Sequence, residues 1–195
     1  MGIACMSADT DPHDAVTAPW ARDILDFWFK EIGEEGWWGR SEVTDAACMR
    51  FESLWQEKAR QPAETFLSRA DEALAAIILF DQMPRNMFRD QAQAFASDPL
   101  AREIAKGAVA QGYDVQIGGA GRSFFYMPFQ HSETLDDQER SIALFEALGD
   151  ARNLDFARKH HDIVARFGRF PHRNAVLGRT DRDGEEAAIE AGHSW

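Results

Sequence analysis

The stretch RNLDFARKHHDIVARF, residues 152–167, indicates most clearly which fold the chain adopts. It has two neighbouring stripes at helical spacing, each apolar except for one histidine. They are Phe156, His160, Ile163 and Phe167 in one, and Leu154, Ala157, His161 and Val164 in the other. Steps of three and four residues are typical of an amphipathic helix, and Gly168 is a suitable stop. The stretch predicts a helix over 152–167 with at least one partly buried histidine.

Helical patterns of this kind recur along the rest of the chain. Helices are predicted to begin at Thr17-Ala18-Pro19 and at Thr44, with Thr17 and Thr44 as their caps. Others are predicted to begin near Pro62, at Ser97-Asp98-Pro99 and at Thr134, with weaker ones after Pro171 and over 183–191. Pro84 should end or kink the third helix, and the glycine-rich residues 112–121 should form the main internal loop. No window alternates like a strand. We predict an all-α single domain over 17–195, with seven to nine helices and short connections, preceded by a flexible arm over 1–16.

Composition excludes several classes of protein. The 195 residues carry a net charge of −12, so phosphate would repel the surface, and we expect neither a nucleic-acid nor a membrane partner. The longest apolar run, Ala73 to Phe80, is far shorter than the about 20 residues of a membrane span. No secretory signal is visible, and we expect a cytoplasmic protein. Cys5 and Cys48 have no metal-binding or redox spacing, and Cys48 is expected to be a buried structural thiol.

The segment Asp81–Arg89 does not resemble an ordinary helix surface. Asp81 continues the apolar face of Ile77, and a buried carboxylate needs a partner. Arg85 and Arg89 are close enough in sequence to supply one. The segment is therefore either an internal Asp–Arg clamp at the bend or part of a functional site.

A second unusual segment, Phe124–Glu133, is a dense aromatic run that ends in His131-Ser132-Glu133, just before a predicted helix. His131 could exchange a proton near neutral pH, and Glu133 could orient it, bind a metal or pair with an arginine. The aromatic side chains themselves are expected to be core, and His131 could equally be a hydrogen-bonded structural histidine.

The third segment, Lys159–Asn174, lies in a basic part of this acidic chain. Residues 152–179 contain seven basic and two acidic residues, a net charge of +5, so the remainder carries −17. A local positive field can concentrate a small anion, and arginine suits planar capture of carboxylate or phosphate. Equally, these arginines could pair with the acidic remainder of the chain.

Together these motifs resemble the bacterial domain-of-unknown-function family number nine hundred and twenty-four. The resemblance covers roughly residues 19–190 and is carried by Asp26-Phe27-Trp28-Phe29, Phe80–Asn86, Phe125–Pro128 with His131-Ser132-Glu133, Asp137–Ser141 and Ala165–Asn174. It implies a tetratricopeptide-like array of antiparallel helices and no established activity. Gln130 departs mildly from the pattern, and the N-terminal arm is additional to it.

Three functions remain open at this point. The first is a pocket for a small anionic ligand, possibly catalytic. Its predicted catalytic residues are His131, Glu133 and His172: either histidine would exchange the proton, and Glu133 or Asp81 would orient it. Its predicted ligand-binding residues are Asp81, Arg85, Arg89, Tyr126, Arg166, Arg169, Arg173 and Asn174. The second is a protein-interaction scaffold, and the third is a metal enzyme using His131, Glu133, His160 or His161, and His172. The sequence identifies no cofactor. Exposed aromatic residues of the first helices could form a homodimer interface.

Overall fold

The computed structural model describes residues 17–190, and all regular secondary structure in that range is helical. The predicted all-α class is confirmed for this part of the chain, which forms one compact helical domain around one main core. The predicted arm over 1–16 lies outside the described residues, as do residues 191–195. Residues 17–190 contain thirteen α-helices rather than seven to nine, because π-helical and 3-10 turns divide several of the predicted helices.

The N-terminal half is built around one almost wholly buried helix. Its elements are α1 (Pro19–Asp26), α2 (Gly33–Trp37), α3 (Glu42–Cys48), α4 (Glu52–Lys58), α5 (Ala70–Ile77) and α6 (Met83–Met87). Helix α1 continues into a π-helical segment over Phe27–Ile32, and 3-10 turns cover Met49–Phe51, Ala63–Phe66 and Ala92–Phe95. Apart from two acidic residues in its first turn, every residue of α5 is buried. A helix that is apolar on all sides belongs at the centre, and α5 packs against α1 and α7.

The C-terminal half ends in a long helical hairpin. Its elements are α7 (Asp98–Ala110), α8 (Tyr113–Ile117), α9 (Gly121–Phe124), α10 (Met127–Gln130), α11 (Leu135–Leu148), α12 (Ala151–Phe167) and α13 (Glu185–Glu190), with a 3-10 turn over Pro171–Arg173. Helices α11 and α12 pack against each other across Gly149, whose φ of 76° favours glycine. A hairpin of this kind is the unit that tetratricopeptide-like arrays stack, so the implied arrangement is consistent with this half of the domain.

Two predicted helix caps are wrong. Helix α1 has Ala18 at its N-cap, and the Thr17 hydroxyl donates instead to the carboxylate of Asp71, which ties the start of α1 to α5. Helix α3 starts earlier than predicted, because the Ser41 hydroxyl accepts a 3.2 Å hydrogen bond from the Thr44 amide. Thr17 thus binds a carboxylate that is distant in sequence, which a local capping pattern does not reveal, whereas Ser41 is an ordinary local cap three residues before Thr44.

The predicted loop over 112–121 is also largely wrong. It contains the whole of α8 and the first residue of α9, and only the linker around Gly118 and Gly119 is irregular. The Tyr113 hydroxyl donates a 2.8 Å hydrogen bond to the carbonyl of Leu67, which fastens α8 to the N-terminal half. Glycines at the ends of a short helix made this segment resemble a loop.

A π-helical segment over Ile78–Gln82 joins α5 to α6 and determines where the first polar motif lies. The amide that follows it, at Met83, donates to the carbonyl of Ile78, five residues earlier instead of four. Pro84 has no amide hydrogen, and the Phe80 carbonyl four residues before it accepts a 2.7 Å hydrogen bond from the Ser97 hydroxyl. Pro84 therefore neither ends the helical path nor leaves a buried carbonyl unsatisfied.

The main core is aromatic and tightly packed. Trp28, Phe80 and Phe125 are completely buried, and a Cβ added at Gly107 would lie only 2.3 Å from Leu67 Cδ1. Cys48 is buried, as predicted, and burial raises the pKa of its thiol to about 12. Within residues 17–190, no helix has the length and apolarity that crossing a bilayer requires.

Candidate functional site

The three unusual sequence segments meet in space. Asp81 lies on the π-helical segment after α5, His131 directly follows α10, and Arg173 lies in the 3-10 turn that follows α12. The His131 imidazole contacts the Asp81 carboxylate, and its backbone carbonyl accepts a 3.1 Å hydrogen bond from Nη2 of Arg173. Residues 50 and 42 positions apart are thus brought into direct contact.

The centre of this cluster is a hydrogen-bonded Asp–His pair. His131 Nδ1 lies 2.8 Å from Oδ1 and 3.0 Å from Oδ2 of Asp81, whose side chain is wholly buried. An ionised carboxylate can only accept, so Nδ1 carries the hydrogen and donates it. The Gln82 amide also donates to Asp81. The His131 side chain is 15% exposed, and its Nε2 makes no hydrogen bond to any residue between 17 and 190.

The surroundings of the pair favour a charged aspartate and a neutral histidine. Burial acts to raise the pKa of Asp81, but attraction to the protonated form of His131 and to Arg85 outweighs it at acidic pH and lowers that pKa to about 2. Burial also lowers the pKa of His131, and the attraction of Asp81 offsets this only in part. At neutral pH the imidazole is therefore uncharged, with its lone pair on Nε2.

An arginine–aspartate network lies beside the pair. Nη1 of Arg85 donates to the Asp81 backbone carbonyl at 2.7 Å and to Oδ1 of Asp98 at 2.9 Å, and its Nη2 donates to Oδ2 of Asp98 at 3.2 Å. The same Asp98 carboxylate lies 3.5 Å from Nη1 of Arg173. Asp98 is thus the shared counter-ion of two guanidinium groups from different segments.

Arg173 is the less compensated of these two cations. Its side chain is buried, its nearest carboxylate oxygen is 3.5 Å away, and its Nε has no hydrogen-bond partner among the described residues. Burial and repulsion from Arg85 lower the pKa of Arg173 to about 10. The guanidinium is held between two aromatic rings, 4.6 Å from the centroid of Phe95 and 4.5 Å from that of Phe170.

Glu133 is bound to groups other than His131. Its carboxylate accepts a 2.8 Å hydrogen bond from the Phe170 amide and two from Arg179, at 2.8 and 3.1 Å. Burial would raise the pKa of Glu133, but the hydrogen bonds from Arg179 and Phe170 lower it overall. Glu133 therefore positions the loop after α12, and the orienting carboxylate of His131 is Asp81.

Arg169 and Asn174 belong to a neighbouring cluster around α13. Arg169 binds Glu185 through Nε at 2.8 Å and Nη2 at 2.6 Å, and the Asn174 amide donates to the same carboxylate at 2.9 Å. These contacts, together with the hydrogen bond from Arg169 to the Thr180 carbonyl, hold the C-terminal helix against the end of α12.

Three other predicted ligand-binding residues lie outside the cluster. Arg89 binds Asp45 of α3 through two hydrogen bonds of 2.6 Å. The Tyr126 hydroxyl is bound between other side chains, Asp114 and Arg122. Arg166 is exposed, and its guanidinium stacks on Phe167 of its own helix. The ring of His172, another predicted catalytic residue, contacts that of Phe170, with a centroid distance of 5.7 Å.

Sequence reasoning missed Asp98, Arg179 and Phe95, although all three contact the cluster. Asp98 was interpreted only as part of a helix start, because Ser-Asp-Pro is a strong N-terminal pattern. Arg179 was counted in the basic segment without a partner. Phe95 lies in a 3-10 turn with no polar motif, so only the fold shows that its ring covers Arg173.

The histidines do not form a metal-binding group within the described part of the chain. No set of three or more His, Cys, Asp and Glu side chains between residues 17 and 190 has the arrangement that a metal ion requires. The His160 ring is tilted by 54° to the His131 ring, with centroids 6.2 Å apart, and its Nδ1 lies 2.8 Å from the Phe156 carbonyl. Burial lowers the pKa of His160 well below its usual value, and His131 adds to this.

Comparisons with known proteins support the family and the helical fold and supply no activity. A family model described as "Bacterial protein of unknown function (DUF924)" matches residues 24–193. The solved structure of a protein of unknown function from Agrobacterium tumefaciens, ATU0120, is similar, with 40% sequence identity and a TM-score of 0.82. That match covers 88% of this chain and 97% of the other. No curated protein sequence matches this chain.

Proposed function

Because the chain belongs to the DUF924 family of bacterial proteins, whose function is unknown, we propose a function from the cluster itself: a proton-transfer site for a small anionic molecule. In this proposal His131 Nε2 exchanges the proton, and Arg173 holds the negative group of the molecule. The supporting observation is the 2.8 Å contact between His131 Nδ1 and the buried Asp81 carboxylate, which leaves Nε2 without a partner in residues 17–190.

The Asp–His pair has the parts that a general acid and base needs. Asp81 holds the imidazole in one tautomer, with the lone pair on Nε2. When Nε2 takes a proton, the imidazolium is stabilised by the Asp81 carboxylate at 2.8 Å. A neutral imidazole in the free protein is the form that can accept a proton at physiological pH.

The preference for an anion comes from Arg173. A buried guanidinium whose nearest carboxylate is 3.5 Å away, and whose Nε is unbonded among the described residues, is stabilised by an additional negative group. Arg173 also donates to the backbone carbonyl of His131, so an anion held there would lie near the imidazole. The ligand would then carry a carboxylate or phosphate close to the atom that exchanges a proton.

The arrangement of the residues favours a small-molecule site over a protein-interaction scaffold. Stacked helices that bind peptides present their special residues along an open face, whereas a small-molecule site gathers them in one place. Here Asp81, His131 and Arg173 come from three distant segments and contact one another. The metal-enzyme alternative has no comparable support, because Glu133 binds Arg179 and the Phe170 amide.

A thermal-shift screen of small carboxylates and phosphate esters tests the proposal. Binding to the native state raises the unfolding midpoint with ligand concentration. We expect at least one compound to stabilise the wild-type chain, with the effect lost in Arg173→Lys and kept in Arg166→Lys. Both changes keep the charge and remove the guanidinium fork, but Arg166 is exposed and lies outside the cluster.

An NMR titration of the histidine ring protons then tests the role of His131. We expect its pKa to lie below the ordinary value in the free protein and to rise when the stabilising compound is added, because a nearby anion favours the imidazolium. His161, on the outer part of α12, should not respond. Equal effects on both histidines, or no stabilising compound in the screen, would contradict the proposal.

A further inference from the structure

A surface cavity of about 360 Å³ lies between α2, α9 and the first turn of α12, and it shares no lining residue with the His131 cluster. Its volume is within the range of small-molecule sites, roughly 300–1,000 Å³. Three aromatic side chains, Trp37, Trp38 and Phe124, form part of its wall. Trp38 is 39% exposed, which is unusual for the largest apolar side chain, whereas Phe124 is buried behind it.

The three rings have a box-like arrangement. Trp38 and Phe124 are nearly parallel, with an interplanar angle of 7° and centroids 6.3 Å apart. Trp37 is perpendicular to both, at 89° to Trp38 and 87° to Phe124, with centroid distances of 6.2 and 5.1 Å. Phe124 is buried, so the π surfaces open to a cation in this cavity are those of the half-buried Trp37 and the exposed Trp38.

The charges around the cavity also favour a cation. Glu34, Glu35 and Asp150 contribute carboxylates, and the lining contains one basic residue, Arg152. Glu34 and Glu35 are exposed and make no ion pair with any residue of the described range. Asp150 caps α12 by accepting from the Asn153 amide at 3.0 Å. The net charge of the lining is therefore negative.

Arg152 already places a cation on this aromatic surface. Its guanidinium carbon lies 5.6 Å from the centroid of Trp38. Arg152 is exposed and has no carboxylate partner between residues 17 and 190, so the contact with Trp38 is easily exchanged. The flexible Arg152 side chain thus competes with any cationic ligand for the face of the Trp38 ring.

We propose that this cavity binds a small N-alkylated ammonium ion, which replaces the Arg152 guanidinium on Trp38. Such ions are weakly hydrated, so an aromatic surface with nearby carboxylates can bind them without a deep pocket. The site is independent of the proposed proton-transfer site, which takes a ligand of opposite charge.

Choline and its uncharged isostere, 3,3-dimethylbutan-1-ol, provide a direct test with the full chain. The indole N–H signals of protein labelled with ¹⁵N-tryptophan are followed during titration, and Trp38 is assigned from a Trp38→Phe variant. We expect choline to shift the Trp38 signal saturably, and the isostere to bind at least tenfold more weakly, because the two molecules differ mainly in charge.

Three variants separate the contributions. Trp38→Leu should abolish choline binding, and Arg152→Gln should tighten it severalfold by removing the competitor. Glu34→Gln/Glu35→Gln should weaken binding severalfold, whereas the matched control Glu139→Gln/Glu190→Gln removes two exposed carboxylates elsewhere and should not.

Equal binding of choline and the isostere would overturn the proposal, as would the absence of a saturable shift. So would a tightening of choline binding by the Glu34→Gln/Glu35→Gln pair. Should Trp38→Leu fail to fold, the glutamate pair and its control decide the question, because they change only exposed side chains.

Discussion

Replacing Asp81 by asparagine should destabilise the protein in a way that depends on pH. The pKa of Asp81 is lowered from 3.8 to about 2. That difference corresponds to about 2 kcal/mol of stability at neutral pH, because each pKa unit is worth about 1.4 kcal/mol. The Asp81 side chain is wholly buried, so solvent does not screen its attraction to Arg85, or to His131 once that imidazole is protonated at lower pH.

The difference in stability between wild type and Asp81→Asn should decrease as the pH falls. A lowered pKa stabilises the fold above the unfolded pKa, and that contribution is lost as the pH falls towards the folded pKa. From these two pKa values, part of this contribution should be gone by about pH 3 and most of it by about pH 2. The difference between wild type and Asp81→Asn should therefore be largest above about pH 5 and shrink below about pH 4.

Urea unfolding followed by circular dichroism, at a series of pH values between about 7 and 3, measures this difference. Asp155→Asn is the control, because Asp155 is 62% exposed and paired only with Lys159 on the surface of α12. It should change stability by less than about 1 kcal/mol at every pH. A stability difference for Asp81→Asn that stays constant down to about pH 3, or is no larger than the control, would refute the argument.

Three further predictions concern packing and reactivity. Ser97→Ala should lower the free energy of unfolding, measured in urea, by about 1–3 kcal/mol. The Phe80 carbonyl would lose the Ser97 hydroxyl as its donor, and Pro84 has no amide hydrogen to donate to it. Gly107→Ala should destabilise by about 1–3 kcal/mol, because the new methyl group would lie 2.3 Å from Leu67 Cδ1. With the other cysteine replaced by serine, Cys48 should not react with a thiol reagent until the chain unfolds, since burial raises its pKa to about 12.

Each of these has a control. Ser68→Ala changes an exposed serine and should have little effect, so an equal loss in both serine variants would contradict the first prediction. Shortening Leu67 to alanine should recover part of the loss in Gly107→Ala, and no recovery would mean that the clash lies elsewhere. Labelling of Cys48 in the native state, at a rate independent of denaturant, would contradict its burial.

The parts of the fold that were predictable are those set by local chemistry. Helix α7 begins after Ser97 with Pro99 in its first turn and ends before Gly112, as the sequence predicted. Helix α12 and its stop at Gly168 were also predicted, because proline and glycine restrict backbone geometry wherever they occur. The caps at Thr17 and Thr44 were wrong, because the Thr17 hydroxyl binds the distant Asp71 and Ser41 caps α3 three residues earlier.

The site could be predicted as a set of unusual residues but not as a set of contacts. Asp81 and His131 were singled out because their residue types do not suit an apolar setting. Their pairing depends on a π-helical turn and on how α5 and α10 approach each other, which no local pattern specifies. For the same reason the contacts of Asp98 could not be predicted, because an aspartate at the start of a helix already has a local explanation.

The π-helical turn over Ile78–Gln82 makes the length of the chain at this point as important as its chemistry. A π-helical turn contains one residue more than an α-helical turn, so deleting one residue here would rejoin α5 and α6 as an ordinary helix. The side chains within Ile78–Gln82 would then change the direction in which they point, and Asp81 would no longer be held against His131. Insertions and deletions should therefore be rejected in this turn even where they would improve backbone hydrogen bonding, so related sequences should keep its spacing more strictly than its side chains.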